Sequence, residues 1–134
     1  MANAAELFEA ARAAMSRAHA PYSHFPVGAA IRGAGGGIFS GCNIENASFP
    51  EGWCAETSAL AHMVMAGERK VVEVAVVAAK MPRITPCGGC RQRLKEFGSA
   101  DTLVHLCDEG GIMESVRLGD LLPMAFGLGE TRAP

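Results

Sequence analysis

The sequence predicts a single α/β domain in which helices pack on a mixed β-sheet. Segments with helical spacing of apolar residues alternate along the chain with short runs rich in β-branched residues. The run KVVEVAVVAAK, residues 70–80, is almost continuously apolar, which is typical of a strand covered on both faces. A chain of 134 residues is long enough for one ordinary domain and short for two, so we assign residues 1–134 to one domain.

The first part of the chain predicts a helix followed by a hairpin. Residues 4–19 place apolar side chains at helical spacing, and Pro21 stops that helix. Residues 25–46 form two short apolar stretches around a glycine-rich run, which indicates two antiparallel strands joined by a turn. The glycine run precedes no helix and no Lys-Ser/Thr pair, so we do not interpret it as a phosphate-binding loop.

The second part alternates helices with strands. Residues 54–67 and 87–98 each have helical character and end at a glycine, and the predicted buried strand at 70–80 lies between them. Residues 101–126 predict a strand, a glycine-containing turn, a second extended piece and a final helical turn. Both central helices begin at a cysteine, which draws attention to their N-termini.

Composition excludes several classes of function. The formal net charge is −2 and the chain has one Trp and one Tyr, so no basic, aromatic track is available for a nucleic acid backbone. The N-terminal stretch carries Glu6 and Glu9 and lacks a continuous apolar core, so it predicts neither a secretory signal nor a membrane span. We therefore expect a soluble cytoplasmic protein without nucleic acid or membrane partners.

Five cysteines in such a chain favour reduced thiols over a disulfide framework. The motif TPCGGCRQ, with Cys87 and Cys90, is compatible with a redox couple, half of a zinc site or a tight turn. A thioredoxin-like couple would follow the first strand of a βαβ unit, whereas this motif follows the third predicted strand. The upstream WCAETSAL supplies Cys54, another cysteine at a helix start, with Glu56 two residues later.

These three cysteines can form a metal site. Three thiolates from two helix N-termini can hold zinc tetrahedrally and leave its fourth position open, which is the arrangement of catalytic zinc. The helix dipoles favour the thiolate form of Cys54, Cys87 and Cys90. Glu56 then lies in the first turn, near enough to exchange protons with a bound water. The alternative, buried free thiols, is the usual state of cysteine and is also our interpretation of Cys42 and Cys107.

The cysteine motifs are part of a resemblance that covers nearly the whole chain. The stretches PYSHFPVGAA, GCNIENAS, CAE, PCGGCRQ, EFG and LLPMAFG, in that order, resemble the small homotetrameric zinc-dependent cytidine deaminases. The resemblance implies a three-layer α/β/α fold with a mixed five-stranded sheet. It also implies a cytoplasmic homotetramer with shared active sites, one Zn²⁺ per subunit, and hydrolytic deamination of cytidine and 2'-deoxycytidine in pyrimidine salvage.

The same resemblance implies roles for individual residues. Cys54, Cys87 and Cys90 would bind zinc, the zinc-activated hydroxide would attack C4 of the pyrimidine, and Glu56 would shuttle protons to N3 and the departing amine. The implied substrate-binding residues are Asn43 and Glu45 on the ribose, Phe25 and Ala55 in the pocket, and Phe126 reaching in from a neighbouring subunit. For Phe25 and Phe126, a place in the core is the ordinary alternative.

Two differences from the family pattern bear on the substrate. The family usually has CAERTA, so Thr57 stands where Arg is common and leaves the helix N-termini and Arg91 to offset the thiolate charge. We hypothesise that Thr57 alters pH dependence or substrate preference, which an unchanged pH-rate profile and substrate ranking of Thr57→Arg would contradict. Phe49 also stands where Tyr is common. The alternatives are a deaminase of another aminopyrimidine nucleoside, of the blasticidin S type, and a non-catalytic zinc-binding domain.

Overall fold

The computed structural model describes residues 3–128, which form the helices and strands that the sequence predicts. The elements are α1 (Ala4–Met15), β1 (Val27–Gly33), β2 (Ile38–Cys42), a 3₁₀ turn (Phe49–Glu51), α2 (Ala55–Met65), β3 (Val71–Ala78), α3 (Gly88–Phe97), β4 (Leu103–Asp108), β5 (Gly111–Arg117) and α4 (Leu118–Leu121). Within these residues, every helix is too short or too polar to cross a membrane.

The strands form one mixed five-stranded sheet in the order β2-β1-β3-β4-β5. The β3–β4 pair is parallel and is connected through α3, whereas the other neighbours are antiparallel. The central strand is β3, and all of its residues except Val72 are buried. This confirms that the apolar run at 70–80 is a strand covered on both faces, because helices pack on each side of it.

Two apolar cores on opposite faces of the sheet make the architecture three-layered. Alternate residues of a strand point to opposite faces, so Val74 and Val76 pack with α2 and α3 while Ala75 and Val77 pack with α1. The helices α2 and α3, which begin at the cysteines, therefore lie on the same face. The predicted α/β/α fold is confirmed.

Helix α1 ends earlier than the sequence predicts. It stops at Met15 and not near residue 19, before Pro21 can act as the breaker. The chain turns because His19 pairs with the segment after β2: the His19 N–H donates to Asn43 O at 3.0 Å, and the Glu45 N–H donates to His19 O at 2.8 Å. This added pairing holds residues 43–45 in an extended conformation beside the loop that follows α1.

Helix α2 packs closely on β2 at Gly41. A Cβ atom at this position would lie 2.4 Å from Ala59 N and 2.7 Å from Ala55 O, well inside van der Waals contact. Gly41 thus lets the first turns of α2 approach the sheet, and the Ser58 hydroxyl adds a 2.8 Å hydrogen bond to Cys42 O. These contacts set the position of the helix that begins at Cys54.

Candidate active site

Three thiols from two helix N-termini come together at one end of the sheet. Cys54 is the N-cap of α2, Cys87 is the N-cap of α3, and Cys90 lies in the first turn of α3. Their sulfur atoms all lie within 4.8 Å of one another, and Cys54 Sγ is 3.8 Å from Cys87 Sγ. The tertiary structure therefore brings Cys54 to the CxxC motif from the other helix, as the sequence predicts.

The donor set suits a thiophilic metal such as zinc. Both N-cap cysteines are extended and precede free helical N–H groups, whose partial positive charge favours thiolates. The pKa of Cys54 is lowered to about 6, chiefly by hydrogen bonding from Cys90, with contributions from Cys87 and the charge of Arg93. The same pairing raises the pKa of Cys90. The three sulfurs are close enough to share protons, and zinc binding would displace these protons.

Glu56 lies beside the thiols in the first turn of α2 and is only 4% exposed. Burial raises the pKa of its carboxyl to about 7, and the nearby Cys54 acts in the same direction. Hydrogen bonds from its own backbone N–H and from Cys90 act against this shift. A carboxyl group balanced in this way can both accept and release a proton near neutral pH.

A cavity of about 530 Å³ opens next to Cys54. Its volume suits a small molecule with one or two rings. Its lining combines polar groups from the loops after α1 and β2 with aromatic side chains. The residues involved are Tyr22, Ser23, Asn43, Ile44, Glu45, Asn46, Phe49, Gly52, Trp53 and Cys54. Through Cys54, the cavity connects the thiol cluster to a surface with hydrogen-bonding groups.

Asn43 and Glu45 both line this cavity, and both are held by the loop after α1. The Asn43 amide bridges the backbone: its oxygen accepts from Val27 N and its nitrogen donates to Phe25 O, each at 2.9 Å. Glu45 accepts from the N–H groups of Tyr22 and Ser23 at 2.9 and 3.1 Å, and from the Ser23 hydroxyl. Hydrogen bonding, first from the Ser23 hydroxyl, lowers the pKa of Glu45.

The other predicted substrate contacts have different surroundings. Phe25 is half-buried in the segment that Asn43 holds, and Ala55 is completely buried between Cys54 and Glu56. Neither lines the 530 Å³ cavity. Phe126 is 72% exposed, with its carbonyl accepting a 3.1 Å hydrogen bond from Gln92, and it also lies outside that cavity. Within residues 3–128 of one chain, Phe126 therefore does not complete the site.

Sequence reasoning missed Tyr22 and Ser23. The Tyr22 ring meets Phe49 edge to face, with ring centroids 5.8 Å apart, and forms one wall of the cavity. Ser23 supplies two of the donors to Glu45. Both residues belong to the loop after α1, and a loop has no regular spacing of apolar residues from which burial could be predicted. The PYSHF stretch in which they lie was itself part of the resemblance, and that was the available signal.

Arg91, which the sequence suggests as a counter-charge, hydrogen-bonds two main-chain carbonyl groups. Its Nε donates to Pro86 O at 2.8 Å and its Nη1 donates to Leu121 O at 2.9 Å. Arg91 therefore braces the loop before Cys87 against α4. Thr57, at the position where Arg is common in the family, has its hydroxyl oxygen 3.9 Å from Cys90 Sγ.

The remaining cysteines lie outside the cluster. Cys107 is completely buried on the α1 face of the sheet, and burial raises the pKa of its thiol. Cys42, at the end of β2, is half-buried, whereas we expected a fully buried thiol. All five cysteines, which lie within the described part of the chain, are free thiols.

The fold and the site together define a protein with a thiolate metal centre, a buried proton-exchanging carboxyl and an adjoining small-molecule cavity. The family described as "Cytidine and deoxycytidylate deaminase zinc-binding region" matches residues 1–106. The chain belongs to this zinc-binding deaminase family.

Individual relatives agree with this assignment over most of their length. The cytidine deaminase of Halalkalibacterium halodurans is 42% identical over 120 residues, which cover 90% of this chain and 91% of that protein. The cytidine deaminase of Mycobacterium tuberculosis is 38% identical over 86% of this chain and 83% of its own length. The crystal structure of cytidine deaminase from Burkholderia pseudomallei superposes with a TM-score of 0.88 at 43% identity, covering 93% of this chain and all of that one.

Proposed function

We propose that this protein is a zinc-dependent cytidine deaminase. Its reaction is the hydrolysis of cytidine and 2'-deoxycytidine to the uridine products and ammonia. The observation that carries the proposal is the convergence of Cys54, Cys87 and Cys90 with the buried Glu56 at the edge of a cavity large enough for a nucleoside. Family membership and the relatives named cytidine deaminase support the same reaction.

In this proposal Cys54, Cys87 and Cys90 would hold the zinc ion. Zinc bound there would lower the pKa of a water molecule and would supply the nucleophile for C4 of the pyrimidine. Glu56 accepts one proton of the water at its carboxylate and passes it to N3 of the ring; it then takes the proton of the new C4 hydroxyl and passes it to the amine, which leaves as ammonia. The pKa of Glu56, raised to about 7 by burial, suits a group that must be protonated and deprotonated in turn.

Asn43 and Glu45 bind the ribose, with Phe25 and Ala55 shaping the pocket around the base. The lowered pKa of Glu45, caused first by the Ser23 hydroxyl, keeps its carboxylate ionised as an acceptor for ribose hydroxyls. The Asn43 amide already bridges Phe25 O and Val27 N, so it offers its second N–H and its second lone pair. These two hydrogen bonds orient Asn43 before substrate arrives.

The protein acts as a cytoplasmic homotetramer of pyrimidine salvage, with residues 1–134 as its single domain and Phe126 entering a neighbouring active site. Large exposed apolar side chains support association: Met65 is 86%, Phe126 72% and Met124 fully exposed. Free thiols throughout the described chain suit a reducing compartment.

The test is to incubate zinc-loaded protein with cytidine and to follow its conversion to uridine. Glu56→Gln is the matched variant, because it keeps the size and the hydrogen-bonding shape of the side chain. We expect retained zinc and fold with a rate reduced by about 10²–10⁴-fold. Equal rates in the two proteins would contradict the role of Glu56, as a non-catalytic zinc domain would predict. Turnover of a different aminopyrimidine nucleoside, with cytidine inert, would contradict the substrate.

A further inference from the structure

A groove of about 590 Å³ lies between α2 and α3. Thr57 and Arg93 both line it, one from each helix. Each lies three residues after a cysteine, Cys54 and Cys90 respectively, and so sits one turn further along the same helix face. The groove brings Thr57 close to the thiol cluster, with its hydroxyl oxygen 3.9 Å from Cys90 Sγ, and shares Trp53 with the cavity beside Cys54.

The thiol cluster needs positive charge when it holds zinc. Three thiolates and Zn²⁺ sum to a formal charge of −1, and an ionised Glu56 adds another negative charge close by. The N-termini of α2 and α3 each supply about half a positive charge. This leaves an excess of negative charge in a partly buried region, where a fixed cation has a larger effect than in open water.

Arg93 is the cation placed to supply that charge. Its guanidinium folds back toward the start of α3, so that a Cβ atom on Gly89 would lie 3.4 Å from Arg93 Nη1 and 3.9 Å from Cζ. Gly89 stands between Cys87 and Cys90. Among residues 3–128, no carboxylate lies within ion-pair distance of Arg93, although Glu96 shares the groove.

The neighbouring arginine has a different role. Arg91 hydrogen-bonds the carbonyl groups of Pro86 and Leu121, and its position on α3 is about 200° around the helix from that of Arg93. The short Thr57 side chain faces Cys90 from α2 and leaves the groove open for the longer side chain opposite. Arg93 is exposed, so its charge acts through a partly solvated space and is weakened by salt.

We propose that Arg93 is a positioning residue of the zinc-thiolate centre: its guanidinium, lying beside Gly89, offsets the negative charge of the bound cysteines from the α2–α3 groove. This inference rests on the proposed function for its effect on catalysis. It predicts that the cation draws electron density from the sulfurs and so preserves the Lewis acidity of the metal. The same effect is available to any cation held at the Thr57 side of the groove.

The test replaces zinc with Co²⁺, whose thiolate charge-transfer band reports the energy of the sulfur lone pairs in a tetrahedral site. We expect Arg93→Gln to move the band to longer wavelength and to lower kcat in the zinc enzyme by about two- to fivefold, the size of a partly solvated charge interaction. High salt should shrink the difference. Arg93→Lys should keep most of the effect, and Arg12→Gln, an exposed arginine on α1, is the matched control without effect.

A double variant separates charge from packing. Thr57→Arg in the Arg93→Gln background places a cation near Cys90 Sγ from the other helix, so we expect the cobalt band and kcat to return toward the wild-type values. An unchanged band in Arg93→Gln, or no recovery in the folded double variant, would overturn the proposal. If zinc-loaded wild type does not deaminate cytidine, the proposed function fails, while the cobalt spectra still decide the role of Arg93.

Discussion

Glu45 shows how single residues of the cavity are prepared for a substrate. Its carboxylate is oriented by donors from Tyr22 and Ser23, residues that precede it by more than twenty positions. These donors come from the loop after α1, which is held against residues 43–45 by His19. Because the carboxylate is already oriented and ionised, binding a hydroxyl group requires little rearrangement.

At this scale we predict that Glu45→Gln raises KM for cytidine by about tenfold or more, because a charge-assisted hydrogen bond to the ribose becomes a neutral one. The urea midpoint should change little, since the Glu45 carboxylate is at the surface of the cavity. Steady-state kinetics and urea unfolding of the same preparation measure the two effects. Glu109→Gln, exposed in the β4–β5 turn, is the control. A loss of stability as large as the free-energy change that corresponds to the rise in KM would indicate a structural role.

At the scale of elements, a buried polar chain crosses the α1 face of the sheet. Glu73 on β3 accepts from Arg32 Nε on β1 at 3.1 Å and from His105 Nε2 on β4 at 2.5 Å. Since the carboxylate can only accept, Nε2 carries a proton, and Nδ1 of His105 lies 2.7 Å from the Ser115 hydroxyl on β5. This hydrogen-bond network connects β1, β3, β4 and β5. Its polar groups would destabilise the fold if they were buried without partners.

We predict that Glu73→Gln lowers the free energy of unfolding at pH 7 by about 3–5 kcal/mol, because Arg32 is left buried without its carboxylate. Burial would raise the pKa of Glu73, but hydrogen bonds from His105 and Arg32 outweigh it and lower the pKa below its ordinary value of 4.5. The stabilisation is therefore fully present above pH 4.5 and is lost as pH falls through the lower native pKa.

Urea unfolding at steps from about pH 7 down to about pH 3 measures this dependence. The difference between wild type and Glu73→Gln should be largest near neutrality and should shrink in acid. Glu114→Gln, which removes an exposed ion pair with Arg83, should cost at most about 1 kcal/mol. A difference between wild type and Glu73→Gln that does not change with pH would show that Glu73 acts through packing alone.

The packing of α2 on β2 is the other element-scale feature that determines the site. Gly41 allows the close approach of Ala55 and Ala59, and this places the N-terminus of α2 opposite that of α3. Sequence reasoning identified both helices and their first residues. It did not predict the role of Gly41, because a glycine near the end of a strand is typical of many turns and bulges.

At the scale of the whole molecule, the proposed tetramer has a mass of about 56 kDa, four times the 14.0 kDa chain. Phe126→Ala should raise KM for cytidine several-fold and leave Tm unchanged, because the ring is 72% exposed within its own chain and, in the proposed tetramer, reaches a neighbouring site. Light scattering measures the mass, steady-state kinetics measure KM, and thermal unfolding measures Tm. Met113→Ala, a 55% exposed apolar side chain on β5, is the control. A fully active 14 kDa species would contradict the shared site.

Local patterns determined most of the fold. The apolar run of β3, the glycine turn between β1 and β2, and the helices beginning at Cys54 and Cys87 depend on neighbouring residues, whose spacing the sequence shows directly. The early end of α1 could not be predicted, because His19 pairs with residues 43–45 and this long-range pairing overrides helical propensity.

By itself, the sequence determined the chemistry of this protein: three cysteines at helix starts, a glutamate in the first turn, and the ordered motifs of a zinc-binding deaminase family. The tertiary structure decided which groups meet. It brought Cys54 to Cys87 across 33 positions, attached Glu45 to Tyr22 and Ser23, and bound Arg91 to the carbonyl groups of Pro86 and Leu121. Residue type and spacing are local properties, whereas distances between separate elements depend on how the two apolar cores pack against the sheet.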